Sequence, residues 1–163
     1  MNQRQLYKTI ENIASKHFDS IEDLLIHVVD QIVLSKDFHF TGGRIWKLSA
    51  NNKSYKLIYQ TGNIDRISDN YTIRIEDYPV FAQVAKYKTL TAEETNKYLR
   101  KKGILKYSLT GVGSKIKYKD YYLYKYLLAF NTDERNGKYA FYQLSIIGSA
   151  VTSVLRRKKA EEN

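Results

Sequence analysis

Few side chains in this 163-residue chain could do chemistry. Its three histidines are His17, His27 and His39. None is four residues from another, the spacing that puts two metal ligands on one helix face. His39 stands between Phe38 and Phe40, ahead of the first predicted strand. An axial imidazole in an apolar setting is what a haem needs, but a histidine at the edge of a core has the same neighbours. Gly111-Val112-Gly113-Ser114 looks like half of a phosphate-binding loop. It lacks a third glycine, a Lys-Ser/Thr pair and a following helix, and reads as a turn. Glu93-Glu94 and Asp133-Glu134 pair carboxylates, each in a polar segment where water solvates them. No Gly-x-Ser-x-Gly elbow supports a serine nucleophile. The chain has no cysteine, which excludes a thiol nucleophile, a thiolate zinc site, a disulfide frame and a thioether-linked chromophore. We therefore expect no catalytic residues, no metal and no cofactor.

A second kind of chemistry lies in the charge. The net charge is +10, and residues 97–126 carry most of it, with nine Lys and Arg against Asp120 alone. The same window holds Tyr98, Tyr107, Tyr118, Tyr121, Tyr122, Tyr124 and Tyr126, seven of the 15 tyrosines. Cations for phosphates, interleaved with rings for bases, are what a single-stranded nucleic-acid surface uses. A strand pair with lysines on its wet face and tyrosines on a half-buried one has the same composition.

The elements that must position these groups follow from apolar spacing. Leu6, Ile10, Ile13 and His17 make one stripe of a helix over 3–17. Ser20, with Asp23 three residues on, is a helix-start signal. A helix over 21–35 follows, with a wide apolar face of Ile21, Leu24, Leu25, Val28, Val29, Ile32 and Val33. Gly42-Gly43 breaks the chain. Strands over 44–49 and 54–61 then flank the turn Asn51-Asn52, an antiparallel hairpin in which Tyr55, Leu57 and Tyr59 alternate with Lys56, Ile58 and Gln60. A short strand fits 71–75. Pro79 opens a short helix with Val80, Phe81, Val84 and Ala85. A strand at 88–91 and a polar helix at 92–102, stopped by Gly103, come next. Strands over 104–110, 115–119 and 122–130 precede a last helix. Its seam is Ala140, Leu144, Ile147, Val151 and Val154, a heptad spacing. Hairpins and helical crossovers together make an α+β class around an antiparallel sheet.

This order resembles a GAF domain, over about residues 18–159. The likeness rests on Ser20-Ile21-Glu22-Asp23-Leu24-Leu25 as the leading helix. Gly43-Arg44-Ile45-Trp46-Lys47-Leu48, with the Asn-rich turn and Tyr55–Gln60, is the first hairpin. Pro79–Ala85 is similar to the pocket-side helix, and Tyr122–Asn131 running into Tyr139–Leu155 to the last strand and closing helix. The resemblance implies a GAF/PAS-like fold with the N- and C-terminal helices on one sheet face and short helices and loops on the other. It implies a sensory or regulatory domain of a signalling protein that binds a small ligand or a partner on the second face. For that ligand we expect Trp46, Tyr59, Tyr78, Phe81 and Tyr107. For a homodimer seam on the terminal helices we expect Leu6, Ile10, Ile13, Leu144, Ile147, Val151 and Val154. The family's cyclic-nucleotide pattern Asn-Lys-x-x-x-Phe-x-x-x-Asp-Glu is absent around Asp133-Glu134, and bilin-binding members need a cysteine.

The chain is long enough for one domain with a proper core. Its 43% hydrophobic and 27% charged residues are those of a folded chain, not a disordered one. The whole of 1–163 reads as a single unit. The helix over 138–163 would lead on to an output domain in the same polypeptide, such as a diguanylate cyclase, a histidine kinase or a SpoIIE-like phosphatase. Apolar runs such as Ile32–Leu34 and Leu127–Phe130 are too short to span a bilayer, and the start Met-Asn-Gln-Arg-Gln has no leader-like apolar stretch. We expect a cytoplasmic protein that does not use a membrane. Two rival readings remain: a nucleic-acid-binding module built on 97–126, and a structural interaction domain without a ligand.

Overall fold

The computed structural model describes residues 2–51, 53–64, 66–77, 108–110, 117–118, 121–122, 126–131, 143, 146–151, 153–154 and 157. Helix α1 (Gln3–Ala14) starts at a capping box. The Asn2 side chain accepts from the Gln5 amide, and the Gln5 side chain accepts from the Asn2 amide, both at 2.9 Å. It ends one turn before His17. Ser15 closes it by donating its amide and hydroxyl to the Glu11 carbonyl. The stripe expected to run to His17 therefore ends at Ala14, and His17 is exposed beside Asp19.

Helix α2 (Ile21–Leu34) begins at Ser20, whose hydroxyl accepts from the Asp23 amide at 3.1 Å. Glu22 and Asp23 in its first turn suit the positive end of the helix dipole. Strands β1 (Gly42–Leu48) and β2 (Ser54–Gly62) form the expected hairpin. Its turn is tied by the Ser49 hydroxyl, which accepts from the Lys53 and Ser54 amides. Strand β3 (Thr72–Arg74) leads into a 3-10 turn, Ile75–Asp77. Then come β4 (Ser108–Thr110), β5 (Lys117–Tyr118), β6 (Tyr121–Tyr122) and β7 (Tyr126–Asn131). Residues 143, 146–151, 153–154 and 157 are helical and belong to the terminal helix, α3.

The sheet runs β3-β2-β1-β7-β4 and every neighbouring pair is antiparallel. Strand β1 is central, joined to its hairpin partner on one side and on the other to β7, about eighty residues away in sequence. Strands β5 and β6 form a separate two-stranded sheet. One sheet face packs against α1, α2 and α3. Leu6, Ile10 and Ala14 of α1, Leu24, Leu25, Val28, Val29 and Ile32 of α2, and Ile146, Ile147, Ala150, Val151 and Val154 of α3 share one buried cluster with Ile45, Leu128 and Phe130. Phe38 and Phe40, from the connection between α2 and β1, complete it. Among the described residues no helix is long and apolar enough to cross a membrane.

Candidate functional site

The second sheet face carries its own buried cluster: Trp46, Leu48, Tyr55, Leu57, Ile73 and Leu127, with Ile67 and Ala129 at its margin. It follows from strand alternation. In β1, Ile45 turns to the helices while Trp46 and Leu48 turn away. In β7, Leu128 and Phe130 turn to the helices while Leu127 and Ala129 turn away. Register stacks this second face in levels. Trp46 is paired with Leu57 and Leu127, and Arg44 with Gln60 and Ala129. An indole floor thus adjoins a level containing a half-buried guanidinium and a carboxamide.

The segment after β2 folds back over this face. Ile67 packs against the cluster. The Gln60 side chain donates to the Ile67 carbonyl at 2.7 Å and accepts from its amide at 3.3 Å. Arg66 donates to the carbonyls of Gln60 and Gly62. The Ile64 side chain occupies the space where a Cβ on Gly42 would be, so glycine is needed there. Beside this segment, a cleft of ≈ 330 Å³ is lined by Leu57, Ile58, Tyr59, Gln60, Asp69 and Asn70.

Strand β2 does not keep its alternation. Ile45 pairs with Tyr59 and Trp46 with Leu57, so Ile58 is an extra residue, a β-bulge. Both Ile58 and Tyr59 consequently pack toward the helices. The structure thus separates Trp46 and Tyr59, expected together at one pocket, onto opposite faces. The Tyr59 hydroxyl donates to Asp30 of α2 at 2.6 Å. Burial, and then the carboxylate beside it, push its phenol above its ordinary value.

A second tie of the same kind sits at the start of α2. Glu22 accepts from Lys47 and from the Tyr126 hydroxyl, both at 2.8 Å, and the Lys47 ammonium lies 5.8 Å from the Tyr126 ring centre. The Lys47 hydrogen bond holds the Glu22 carboxyl below its usual range, against the opposing effect of burial. Burial, then Glu22, push Tyr126 upward. These ties anchor α2 to β1, β2 and β7.

Of the remaining ligand candidates, Tyr78, Phe81 and Tyr107 lie outside the described residues, as do the expected helix at Pro79, the elements over 88–102 and the 111–114 glycines. The residues expected to form a dimer seam are largely interior. Leu6, Ile10, Ile147, Val151 and Val154 are 0–3% exposed and pack within this chain's own core. Ile13 is half-buried, and Leu144 lies outside the described residues. Among the described residues no cluster of three or more His, Asp or Glu could hold a metal ion.

Sequence reasoning missed Arg44, Gln60 and Gln143. Gln143 is buried, at 5% exposure. Its place three and four residues before Ile146 and Ile147, on the apolar stripe, was the available signal.

No family model matches the sequence, and no curated protein matches it either. Solved structures do. The GAF domain of an Acinetobacter phosphoenolpyruvate-protein phosphotransferase superposes with a TM-score of 0.58 at 18% identity, covering 100% of this chain and 99% of that one. The chain has the GAF fold. The phycoerythrobilin-bound GAF domain of a cyanobacterial phytochrome matches with a TM-score of 0.58 at 12% identity, over 100% of this chain and 99% of that one. A phycocyanobilin-bound counterpart gives 0.56 at 12%, over 100% and 98%. The α+β antiparallel architecture expected from sequence is therefore the observed one.

Proposed function

We propose that this chain is a regulatory sensor domain, not an enzyme, and that it binds a small ligand on the Trp46 face of its sheet. The observation that carries this reading is the second buried cluster, Trp46 with Tyr55, Leu57 and Leu127, adjoining the Arg44 and Gln60 level in a GAF fold. Ligand sites are built of apolar and aromatic walls with a few polar handles. The two bilin-bound neighbours carry their ligands in this fold, which supports a ligand here without naming it. The absent cysteine removes the thioether route by which a bilin is attached. The bound state would be relayed through α3 to an output domain such as a diguanylate cyclase, a histidine kinase or a SpoIIE-like phosphatase. A homodimer would use the outward sides of α1 and α3, because their apolar seam is interior.

Trp46 is the chain's single tryptophan, so its emission reports on this face alone. The test is a screen of nucleotides, haem and small metabolites, read by Trp46 emission and by thermal shift. A ligand raises the melting temperature as its concentration exceeds Kd, by about 2.7 kcal/mol of added stability at a hundredfold excess. A compound that stabilises the protein and changes Trp46 emission supports the reading, provided Trp46→Phe weakens the binding. Stabilisation that Trp46→Phe leaves untouched places the ligand elsewhere and refutes it.

A further inference from the structure

Among the described residues, the short run 37–41 carries hydrogen bonds both to the terminal helix and to the segment over the Trp46 face. On the helix side, the buried Gln143 side chain grips the connection between α2 and β1. Its Nε2 donates to the Asp37 carbonyl at 2.7 Å, and its Oε1 accepts from the His39 amide at 2.9 Å. Phe38 and Phe40, on either side of that amide, are buried in the cluster that holds α3. Two residues on, the Thr41 amide donates to the Asn131 carbonyl at the end of β7 at 2.8 Å. The Thr41 carbonyl in turn accepts from the Asn63 amide, also at 2.8 Å. Asn63 opens the segment that lays Ile64 across Gly42 and Ile67 against the Trp46 cluster.

Gly62 fits this junction because φ is +85 and its Cβ would lie 2.5 Å from the Thr41 carbonyl oxygen. A shift of residues 62–67 away from the sheet must break the Asn63–Thr41 bond or carry Thr41 with it. Moving Thr41 strains the His39 and Asp37 bonds to Gln143. Gln143 is itself buried, so losing those bonds would leave its carboxamide short of partners, and the connection and α3 are expected to adjust together.

We propose that residues 37–41, clamped by Gln143, are the element through which occupancy of the Trp46 face is passed to the terminal helix. The proposal rests on the ligand-site reading for its biological use. The mechanical linkage stands or falls without any ligand.

The first test is native-state hydrogen exchange on the wild-type chain. The His39, Thr41 and Asn63 amides should open as one cooperative unit, with protection factors within about threefold of each other and a shared denaturant dependence. Three unrelated opening reactions would overturn the proposal. The second test perturbs each end. Gln143→Leu should speed exchange at Asn63 by about tenfold, and Gly62→Ala should do the same at His39, because coupling is reciprocal. Amides in the middle of α1 should be unchanged in both variants. Acceleration confined to the mutated end refutes the linkage. If Gln143→Leu does not fold, the wild-type exchange and Gly62→Ala decide. A compound from the screen that alters Trp46 emission but leaves His39 exchange unchanged would overturn the relay of occupancy through residues 37–41 and keep the site. Cooperative opening with no compound acting on Trp46 would keep the linkage and remove the site.

Discussion

Gly43→Ala should destabilise the fold, although alanine usually strengthens a strand. Gly43 lies in β1 between Thr61 and Phe130, on the face beneath α2. An added Cβ would stand 2.9 Å from Val29 Cγ1 and 3.1 and 3.3 Å from two carbons of the Phe130 ring. Neither neighbour has room to retreat. Val29 is 0% and Phe130 1% exposed, and the Phe130 ring is held against Phe40 with centres 4.7 Å apart. Overpacking by one methyl in such a site costs about 1–3 kcal/mol. Removing a glycine from a strand returns about 0.5–1 kcal/mol. With both neighbours buried the overpacking cost falls in the upper part of that range, about 2–3 kcal/mol, so the expected net loss is about 1–2.5 kcal/mol, or a fall of about 2–10 °C in melting temperature for a chain of this size. Urea titration followed by Trp46 emission and far-ultraviolet dichroism measures it. A double-mutant cycle isolates the cause. Val29→Ala removes the methyl that clashes, so the new methyl at position 43 partly fills the vacated space. The double variant should then be less destabilised than the sum of the singles by about 1 kcal/mol or more. A Gly43→Ala protein as stable as wild type, or costs that simply add, would refute the close approach of α2 to β1.

Ser20→Ala should lower stability by about 1 kcal/mol through loss of the α2 cap, with Ser20→Asp retaining most of it; thermal melts distinguish them. Gly62→Ala should cost at least about 2 kcal/mol by denaturant titration, since φ of +85 and the nearby Thr41 carbonyl act together. At low pH the Glu22 tie should fail. Its folded carboxyl titrates below the ordinary 4.5, so its contribution is present above that value and lost as pH falls through the folded one. Because Glu22 and Lys47 are 38% and 40% exposed, the effect is at most about 1 kcal/mol, and Glu22→Gln should flatten the acid limb of a stability–pH curve. At the alkaline end the sign reverses. The raised Tyr59 and Tyr126 phenols contribute stability below the ordinary 10.0 that is lost as pH rises through their folded values, and Tyr126→Phe should remove part of that loss.

The α2 start at Ser20, the hairpin over 42–62 and the short strand near 72–74 were legible because each signal lies within a few residues. A cap needs one hydroxyl and the amide three residues on. A hairpin needs two apolar runs and a turn. The GAF likeness followed from the order of these local units. The candidate site was legible only in part. Trp46 could be placed because β1 alternates regularly, whereas Tyr59 could not, because a single bulge in β2 reverses the face of everything beyond it.

The end of α1 was not legible from spacing either. His17 continues the apolar stripe in number, but Ser15 satisfies the Glu11 carbonyl and closes the helix earlier. The seam of Ile147, Val151 and Val154 read correctly as apolar, but its period is the same whether the partner is another copy or the chain's own sheet. Which one it meets depends on contacts with α1, α2 and β7, residues far away along the chain. The pairing of β1 with β7, the separation of two buried clusters and the grip of Gln143 on residues 37–39 are of this kind. Local spacing determined which faces had to be buried, and the tertiary packing alone decided against what, because burial is satisfied by any complementary surface and register is set by the one that fits.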